Sequence, residues 1–299
     1  MIFAAIDIGS NAVRLQITNV IRYGADTTFK KLEFVRFPLR LGGDVFRFGR
    51  ISTPRIAEFK QLMRAYKILI DLYKVDDYFA CATSAMREAD NGTQLVQQVL
   101  DEIGLQINII SGDQEAEFID RVISFHLSED QMIHIDVGGG STELNIYRGA
   151  TKIAARSFQI GGVRILNGED TTEAREEMRQ WVGEQLDNDV EVKAIGTGGN
   201  IKKIFELQSG VKGEYMSYKS LKACVKEIKH MDYNERMHKL QLNADRADVI
   251  IPASSIYIDV MKSAGADMIL VPDVGLKDGI MTYLYEKNVP KAGRFSFRN

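Results

Sequence analysis

The chain has 299 residues, 45% hydrophobic and 26% charged, enough to bury a sizeable core and to form two domains of common size. Its formal net charge of -3 excludes a general basic field for a nucleic acid polymer, so an anionic ligand must be held by a local site. Cys81 and Cys224 have neither metal-ligand spacing nor a disulfide framework, and no apolar run approaches the ~20 residues that cross a bilayer, so the sequence predicts a cytoplasmic protein with no membrane partner.

The elements follow in chain order. Ile2 to Ile6 is an apolar run ended by Asp7, without the basic flank or small-residue cleavage site of a secretory leader, and reads as a buried first strand over 2–7. Strands are predicted over 12–20 and 28–36, then a helix over 54–73, which Thr53-Pro54 starts and Ile56, Phe59, Leu62, Met63 and Tyr66 continue at helical spacing. A strand over 77–82, a helix over 92–103, a strand over 106–110 and a helix over 113–125 come next. Strands over 131–136, 142–147 and 151–158 precede a helix over 170–187, a strand over 191–195 and helices over 199–206, 217–229 and 245–263. A strand over 267–271 and a helix over 276–286 close the pattern. This alternation predicts an α/β protein.

Eleven positions from Asp7 to Ile17 align without gaps to Asp136 to Ile146. In each copy an apolar strand ends in aspartate, a glycine turn follows, and a second strand alternates apolar with polar residues. The repeat predicts duplicated domains facing each other across a cleft, divided near 118–130. We take 1–124 as one domain and 125–299 as the other, with the last helix packing back on the first domain.

Three glycine turns are candidate phosphate cradles, because glycine lets backbone amides approach an anion without Cβ interference. They are Gly9-Ser10-Asn11, Gly138-Gly139-Gly140-Ser141-Thr142 and Gly196-Thr197-Gly198-Gly199-Asn200, the last opening a helix whose N-terminus favours negative charge. Asp7 and Asp136 at strand ends are candidate Mg²⁺ ligands, since magnesium commonly takes one or two carboxylates plus phosphate oxygens; a turn-capping role is the alternative. Glu143 could orient a metal-bound water or be a solvated strand residue. Arg87 could clamp a phosphate or pair with Glu88 or Asp90. Glu115, in a strand-to-helix turn, is by itself ordinary first-turn charge. Lys202 and Lys203 could reach a distal phosphate or line a solvated face. His126, His134, His230 and His238 share no metal spacing, and Trp181 reads as packing.

The chain resembles the exopolyphosphatase and guanosine pentaphosphate phosphohydrolase family, within the superfamily of acetate and sugar kinases, heat-shock ATPases and actin. The resemblance is carried by AIDIGSNAVRL at 5–15, CATSAMREADNG at 81–92, IISGDQEAEFI at 109–119, IDVGGGSTEL at 135–144, FQIGGVRI at 158–165, AIGTGGNI at 194–201 and VGLKDGIM at 274–281. It implies two actin-like (ribonuclease H-like) α/β domains with an interdomain cleft. It implies that Glu115 is the base that activates water, that Asp136 and Glu143 are the Mg²⁺ and water partners, and that Gly138 to Thr142 with Ser10 and Asn11 cradle phosphates while Arg87 binds the chain. Gln114 stands where a second glutamate is usual. The implied substrate is inorganic polyphosphate, with guanosine pentaphosphate as the alternative, and a homodimer is expected. An ATP-dependent kinase and a phosphate or nucleotide sensor are the other classes this superfamily admits.

Overall fold

The computed structural model describes residues 1–24, 26–187, 189–208 and 215–289. They divide into two compact units, residues 1–122 with 275 onwards, and residues 123–274.

The first unit contains β1 (Ile2–Ile8), β2 (Val13–Tyr23), β3 (Asp26–Phe37), α1 (Leu41–Phe48), α2 (Thr53–Leu72), β4 (Asp77–Ala82), α3 (Ser84–Glu88), α4 (Gly92–Ile103), β5 (Asn108–Ile109) and most of α5 (Gly112–Ile123). The second unit contains β6 (Gln131–Val137), β7 (Thr142–Arg148), β8 (Thr151–Phe158), α6 (Gly162–Leu166), α7 (Thr172–Gln185), β9 (Val192–Thr197), α8 (Gly199–Leu207), β10 (Tyr215–Ser217), α9 (Tyr218–His230), α10 (Tyr233–Lys239), α11 (Ala244–Ala247), α12 (Ile250–Ser263) and β11 (Met268–Leu270). The chain then returns to the first unit through α13 (Leu276–Asn288).

The first sheet runs β3-β2-β1-β4-β5 and the second β10-β11-β9-β6-β7-β8. Read from the β8 edge, the second repeats the order of the first and adds β10 as an antiparallel edge strand. In both, an antiparallel hairpin pairs through its first strand with a parallel neighbour, β1 with β4 and β6 with β9. The repetition extends to a β-bulge, at Ile17/Thr18 in one sheet and Ile146/Tyr147 in the other, the same place in the eleven-residue alignment.

Strand burial follows from sequence. β1 and β6 are almost wholly buried, as expected for strands covered on both faces, and β1 reads as an apolar run up to Asp7. Phe3, Ile6, Leu15 and Ile17 are buried in the first sheet, and Phe59, Met63 and Tyr66 are buried on one face of α2, where their spacing places them. Helix α13 supplies more, since Ile280, Met281, Leu284 and Tyr285 are fully buried and the helix packs on β1, β2 and β4. Its Gly279 is required by packing: a Cβ would lie 2.0 Å from the carbonyl oxygen of Phe118. The second core centres on α12, buried against α6, α7, α8, α9 and β6.

Several expectations are corrected. The helix expected over 245–263 is two helices, α11 and α12. Pro252 has no amide hydrogen and its ring excludes a helical carbonyl four residues earlier, at Asp248, so the helix restarts at Ile250 with Pro252 in its first turn. The helix expected over 113–125 ends at Ile123 and tightens into a 3-10 turn over Ser124–His126. The strand expected over 106–110 shortens to Asn108–Ile109. Helices α1, α3, α6 and α10 and strand β10 are additional to the sequence expectation.

Candidate active site

In the first unit the chemistry-bearing residues gather at the carboxyl ends of parallel strands, where α/β sheets commonly place ligands. Asp7, near the end of β1, is buried and accepts from Arg14 directly opposite on β2, with Nη1 2.6 Å from Oδ2. The Gly9 amide closes the following turn on the Ala12 carbonyl at 3.2 Å. The Ser10 carbonyl accepts from the Gly42 amide and the Asn11 carbonyl from the Arg40 amide, so both point toward the start of α1. The Ser10 and Ser84 hydroxyls share a buried hydrogen bond of 2.8 Å, and the Thr83 amide donates to the Ile8 carbonyl, which bolts this turn to the start of α3.

Arg87 lies on α3, half-buried, and its Nη1 donates to the Ile110 carbonyl at 2.6 Å. It therefore anchors the turn that leads from β5 into α5. That turn ends in a reciprocal cap: the Gln114 amide donates to Ser111 Oγ at 3.2 Å, and Gln114 Oε1 accepts from the Ser111 amide at 3.0 Å. Gln114, a departure from the family pattern, thus performs the helix-starting work a glutamate would do. Glu115 follows it, only 9% exposed although it is a carboxylate. The buried Cys81 thiol, in register with Asp7, is pushed well above its ordinary pKa, first by burial and then by the Asp7 and Glu115 carboxylates, so both act on the same spot. A surface cavity of about 670 Å³ beside β5 is lined by Phe79, Phe118, Tyr283, Gln114 and Arg121 among others; neither Glu115 nor the Gly9 turn is in its lining.

The second unit places Asp136 near the end of β6 and Glu143 directly opposite on β7, on the same face of the sheet. Glu143 Oε1 is buried and accepts from Ser141 Oγ at 2.6 Å and Ser157 Oγ at 3.0 Å, so the carboxylate is fixed by two hydroxyls. Between the strands, the carbonyls of Gly138, Gly139 and Gly140 are all engaged with the start of α6, by the amides of Gly162, Val163 and Arg164 and by Arg164 Nε. Gly161 permits this approach: a Cβ there would lie 2.5 Å from the Gly139 carbonyl carbon and oxygen. The Thr142 hydroxyl donates inward to the Ile160 carbonyl at 2.6 Å.

The third glycine turn joins this loop. Gly198 has a φ of +107°, which favours glycine, and a Cβ there would lie 3.3 Å from Asp136 Oδ1 and 3.2 Å from the Val137 carbonyl oxygen. Gly199 opens α8 beside Arg246 of α11, whose Nη2 lies 3.0 Å from where its Cβ would be. Gly196 is different: it is buried in β9, and its missing Cβ makes room for Ile269, so packing explains it. Lys202 is ion-paired with Asp273 and Lys203 with Glu206.

Three residues to which sequence reasoning assigned no role in the site organise this half. The fully buried Tyr257 hydroxyl of α12 donates to the Thr197 carbonyl and accepts from the Val137 amide, so one atom ties two glycine turns together. Burial, then the Asp136 carboxylate, keep that phenol far above its ordinary pKa, so it remains a donor. His134 lies between Asn145 Nδ2 at 3.2 Å and Thr197 Oγ1 at 2.9 Å; an amide donor at Nδ1 puts the ring proton on Nε2. Arg164 sits in the FQIGGVRI segment, whose glycine pair was the available signal; Tyr257 gave none.

For a divalent cation the described residues offer Asp136 and Glu143. Among the described residues no group of three or more His, Cys, Asp and Glu side chains converges, and magnesium needs only one or two carboxylates when phosphate supplies further oxygens. Asp136 and Glu143 are such a pair, two like charges facing each other across a strand ladder, an arrangement that favours a bound cation. Asp7 is engaged by Arg14.

The model of the Ppx/GppA phosphatase family matches residues 20–288. A curated relative, the bifunctional 3-dehydroquinate synthase/phosphatase of Fusobacterium nucleatum, is 29% identical over 316 residues, covering 95% of this chain and 46% of its own. The chain thus spans about half the length of that relative. Among solved structures, a Ppx/GppA family member of Aquifex aeolicus matches with a TM-score of 0.77 at 28% identity, covering 97% of this chain and 99% of its own. An exopolyphosphatase of Cytophaga hutchinsonii matches with a TM-score of 0.81, covering 98% of this chain and all of its own; at 22% identity it speaks for the fold alone. The fold is the two-domain, actin-like α/β architecture of these structures.

Proposed function

Because the chain belongs to the Ppx/GppA phosphatase family, we propose that it hydrolyses terminal phosphoanhydride bonds, releasing orthophosphate from inorganic polyphosphate, with guanosine pentaphosphate as the alternative substrate of the same chemistry. The observation that carries this reading is Glu115, a buried carboxylate set in the first turn of α5 by the Ser111–Gln114 cap and by Arg87. A carboxylate held in that way can take a proton from water as the water attacks the terminal phosphorus, while the bond to the bridging oxygen breaks and the shortened chain leaves.

Phosphoryl transfer needs charge neutralisation and positioning more than covalent help. Ser10 and Asn11 in the first unit, and Gly138 to Thr142 with Gly198 and Gly199 in the second, are assigned to phosphate oxygens. With the carbonyls of residues 138–140 engaged by α6, amide edges are the groups that loop offers an anion. Ser141 and Thr142 spend their hydroxyl hydrogens inside the fold, so their contribution is through the backbone. Arg87, committed to Ile110, is assigned the positioning of Glu115 beside any direct contact with the chain. Asp136 and Glu143 would hold Mg²⁺, which when bound screens the charge of substrate phosphates.

Phosphate release should be measured with Mg²⁺ on medium-length polyphosphate, guanosine pentaphosphate and ATP in turn. Glu115→Gln should lower release by roughly 100-fold or more while substrate binding persists. Turnover surviving in that variant would overturn the assignment of the base, and preference for the guanosine compound would change the substrate while keeping the mechanism.

A further inference from the structure

The outer strand of each hairpin is guarded by charge. β3 carries Lys30, Lys31 and Arg36, and β8 carries Lys152 and Arg156, and such side chains on an edge discourage another chain from pairing with it. β5, at the opposite edge of the first sheet, has no such guard: residues 105–110 read Leu-Gln-Ile-Asn-Ile-Ile, without charge or proline.

The pairing of β5 also leaves its outer side open. The Ile110 amide donates to the Ala82 carbonyl beside β4 at 3.0 Å. The polar groups of successive strand residues point to opposite sides, so the amide and carbonyl of Ile109 point away from β4. Among the described residues no strand lies beyond β5 to meet them.

The cavity of about 670 Å³ follows this edge. It is lined by successive residues, Ile107 to Ile110, and because alternate side chains of a strand stand on opposite faces, the cavity wraps around the edge. Helix α4 contributes Thr93 and Val96, and α5 a face at helical spacing that includes Gln114, Glu117 and Phe118. What suits such a space is narrow, extended and able to pair its own backbone, which describes a peptide strand.

The walls specify its side chains. Phe79, Phe118 and Tyr283 pack with ring centroids 5.3, 5.4 and 5.6 Å apart and present an aromatic surface to the cavity. Arg121 is ion-paired with Glu286, whereas Glu117 is exposed and has no ion pair among the described residues, so the lining carries one unmet negative charge.

We infer that the open edge of β5, flanked by α4 and α5, is a docking groove for an extended peptide that adds as a further strand. The peptide places an aromatic side chain against Phe79, Phe118 and Tyr283 and a basic one beside Glu117, two residues apart because alternate residues share a face. The Ile110 carbonyl accepts from Arg87 and Gln114 caps α5, and both residues line the groove, so its occupant rests against the turn that carries Glu115. Docking stands apart from the phosphohydrolase reading; its effect on turnover rests on it.

The probe is a fluorescein-labelled peptide, Thr-Phe-Thr-Arg-Thr, whose β-branched residues favour the extended form, titrated into the full chain and followed by anisotropy. Saturable binding is expected. Ile109→Pro removes the outward amide but none that β4 receives, and should weaken binding about tenfold. Glu117→Lys should also weaken it about tenfold and make the peptide with glutamate in place of arginine the better ligand; this exposed position serves if the proline variant does not fold. Absence of saturable binding, or affinity indifferent to both variants, would refute the groove. If N-acetylphenylalanine amide displaced the probe as well as unlabelled peptide does, the site would be a small-molecule cavity and the added strand would be wrong. In phosphate release from tripolyphosphate, saturating peptide should alter kcat at unchanged KM. An unchanged kcat would refute the contact with the Glu115 turn, and a raised KM alone would put the peptide on the phosphate turns and sink the assignment. Should the wild type release no phosphate, the hydrolase reading falls, while anisotropy still decides the groove.

Discussion

The Tyr257 hydroxyl is one atom on which two phosphate turns depend. Tyr257→Phe leaves the Val137 amide and the Thr197 carbonyl without that partner in a fully buried place, and should cost about 1–3 kcal/mol of stability in denaturant unfolding. An unchanged midpoint would show that the bridge contributes nothing. Gly161 tests loop geometry more directly. Gly161→Ala must push the Gly139–Gly140 backbone aside, so phosphate release should fall about 100-fold, the scale of a misplacement near 1 Å, with folding retained. The glycine turns and strand-end carboxylates are legible in sequence because each follows an apolar strand whose end is easily read. Tyr257 and His134 are not legible, because their importance comes from strands and helices distant in sequence meeting at one hydrogen bond. Arg14 stood in plain view in the repeat, but its meaning needed the register.

At the scale of elements, strands β1, β4, β6, β7 and β8 appear within a residue or so of expectation, since β-rich runs bounded by turn residues carry a strong local signal. The short helices do not. Helix α1 contains Gly42-Gly43, poor helix formers, and Gly42 is there because Ser10 Cβ and the Phe46 ring crowd it, a tertiary reason. Helix α10 did have a signature, the Asp232–Glu235 capping box, available to a closer reading. Bulges are announced by nothing in the sequence, yet they decide which side chains face Arg14 and Glu143. The end of α13 offers a pH test. Asp77 opposes burial, which alone would raise its pKa, with hydrogen bonds from Asn288, Lys287 and the Tyr78 amide, and the balance holds it below 3.8. A depressed carboxylate stabilises fully above its ordinary value and loses that contribution as pH falls through the lowered one. Urea unfolding should therefore weaken less steeply between about pH 4 and 2 in Asp77→Asn than in the wild type; equal slopes would exclude the contact as a contributor.

On the scale of the molecule, each unit has its own sheet and core, but they differ in how the chain makes them. The second is one continuous stretch, residues 123–274, whereas the first is completed by α13. Burying Ile280, Met281 and Leu284 alone is worth about 5–9 kcal/mol, comparable with the whole stability of a domain, roughly 5–15 kcal/mol. Residues 123–274 expressed alone should unfold cooperatively, while residues 1–122 should do so only when 275–289 are supplied, which circular dichroism during thermal melting would reveal. A cooperative transition in 1–122 by itself would mean that α13 is dispensable.

The late return of α13 also orders events in time. A ribosome making this chain releases β1 to β5 first, yet the helix that covers β1, β2 and β4 is about 150 residues away, or roughly 8–30 s at ordinary elongation rates. During that interval the second unit is being made, up to β11 just ahead of α13, while apolar faces of the first await their cover. The half of this protein that is made first is therefore the one whose sheet waits longest for its cover, and the one that a chaperone or a codon-dependent pause would protect.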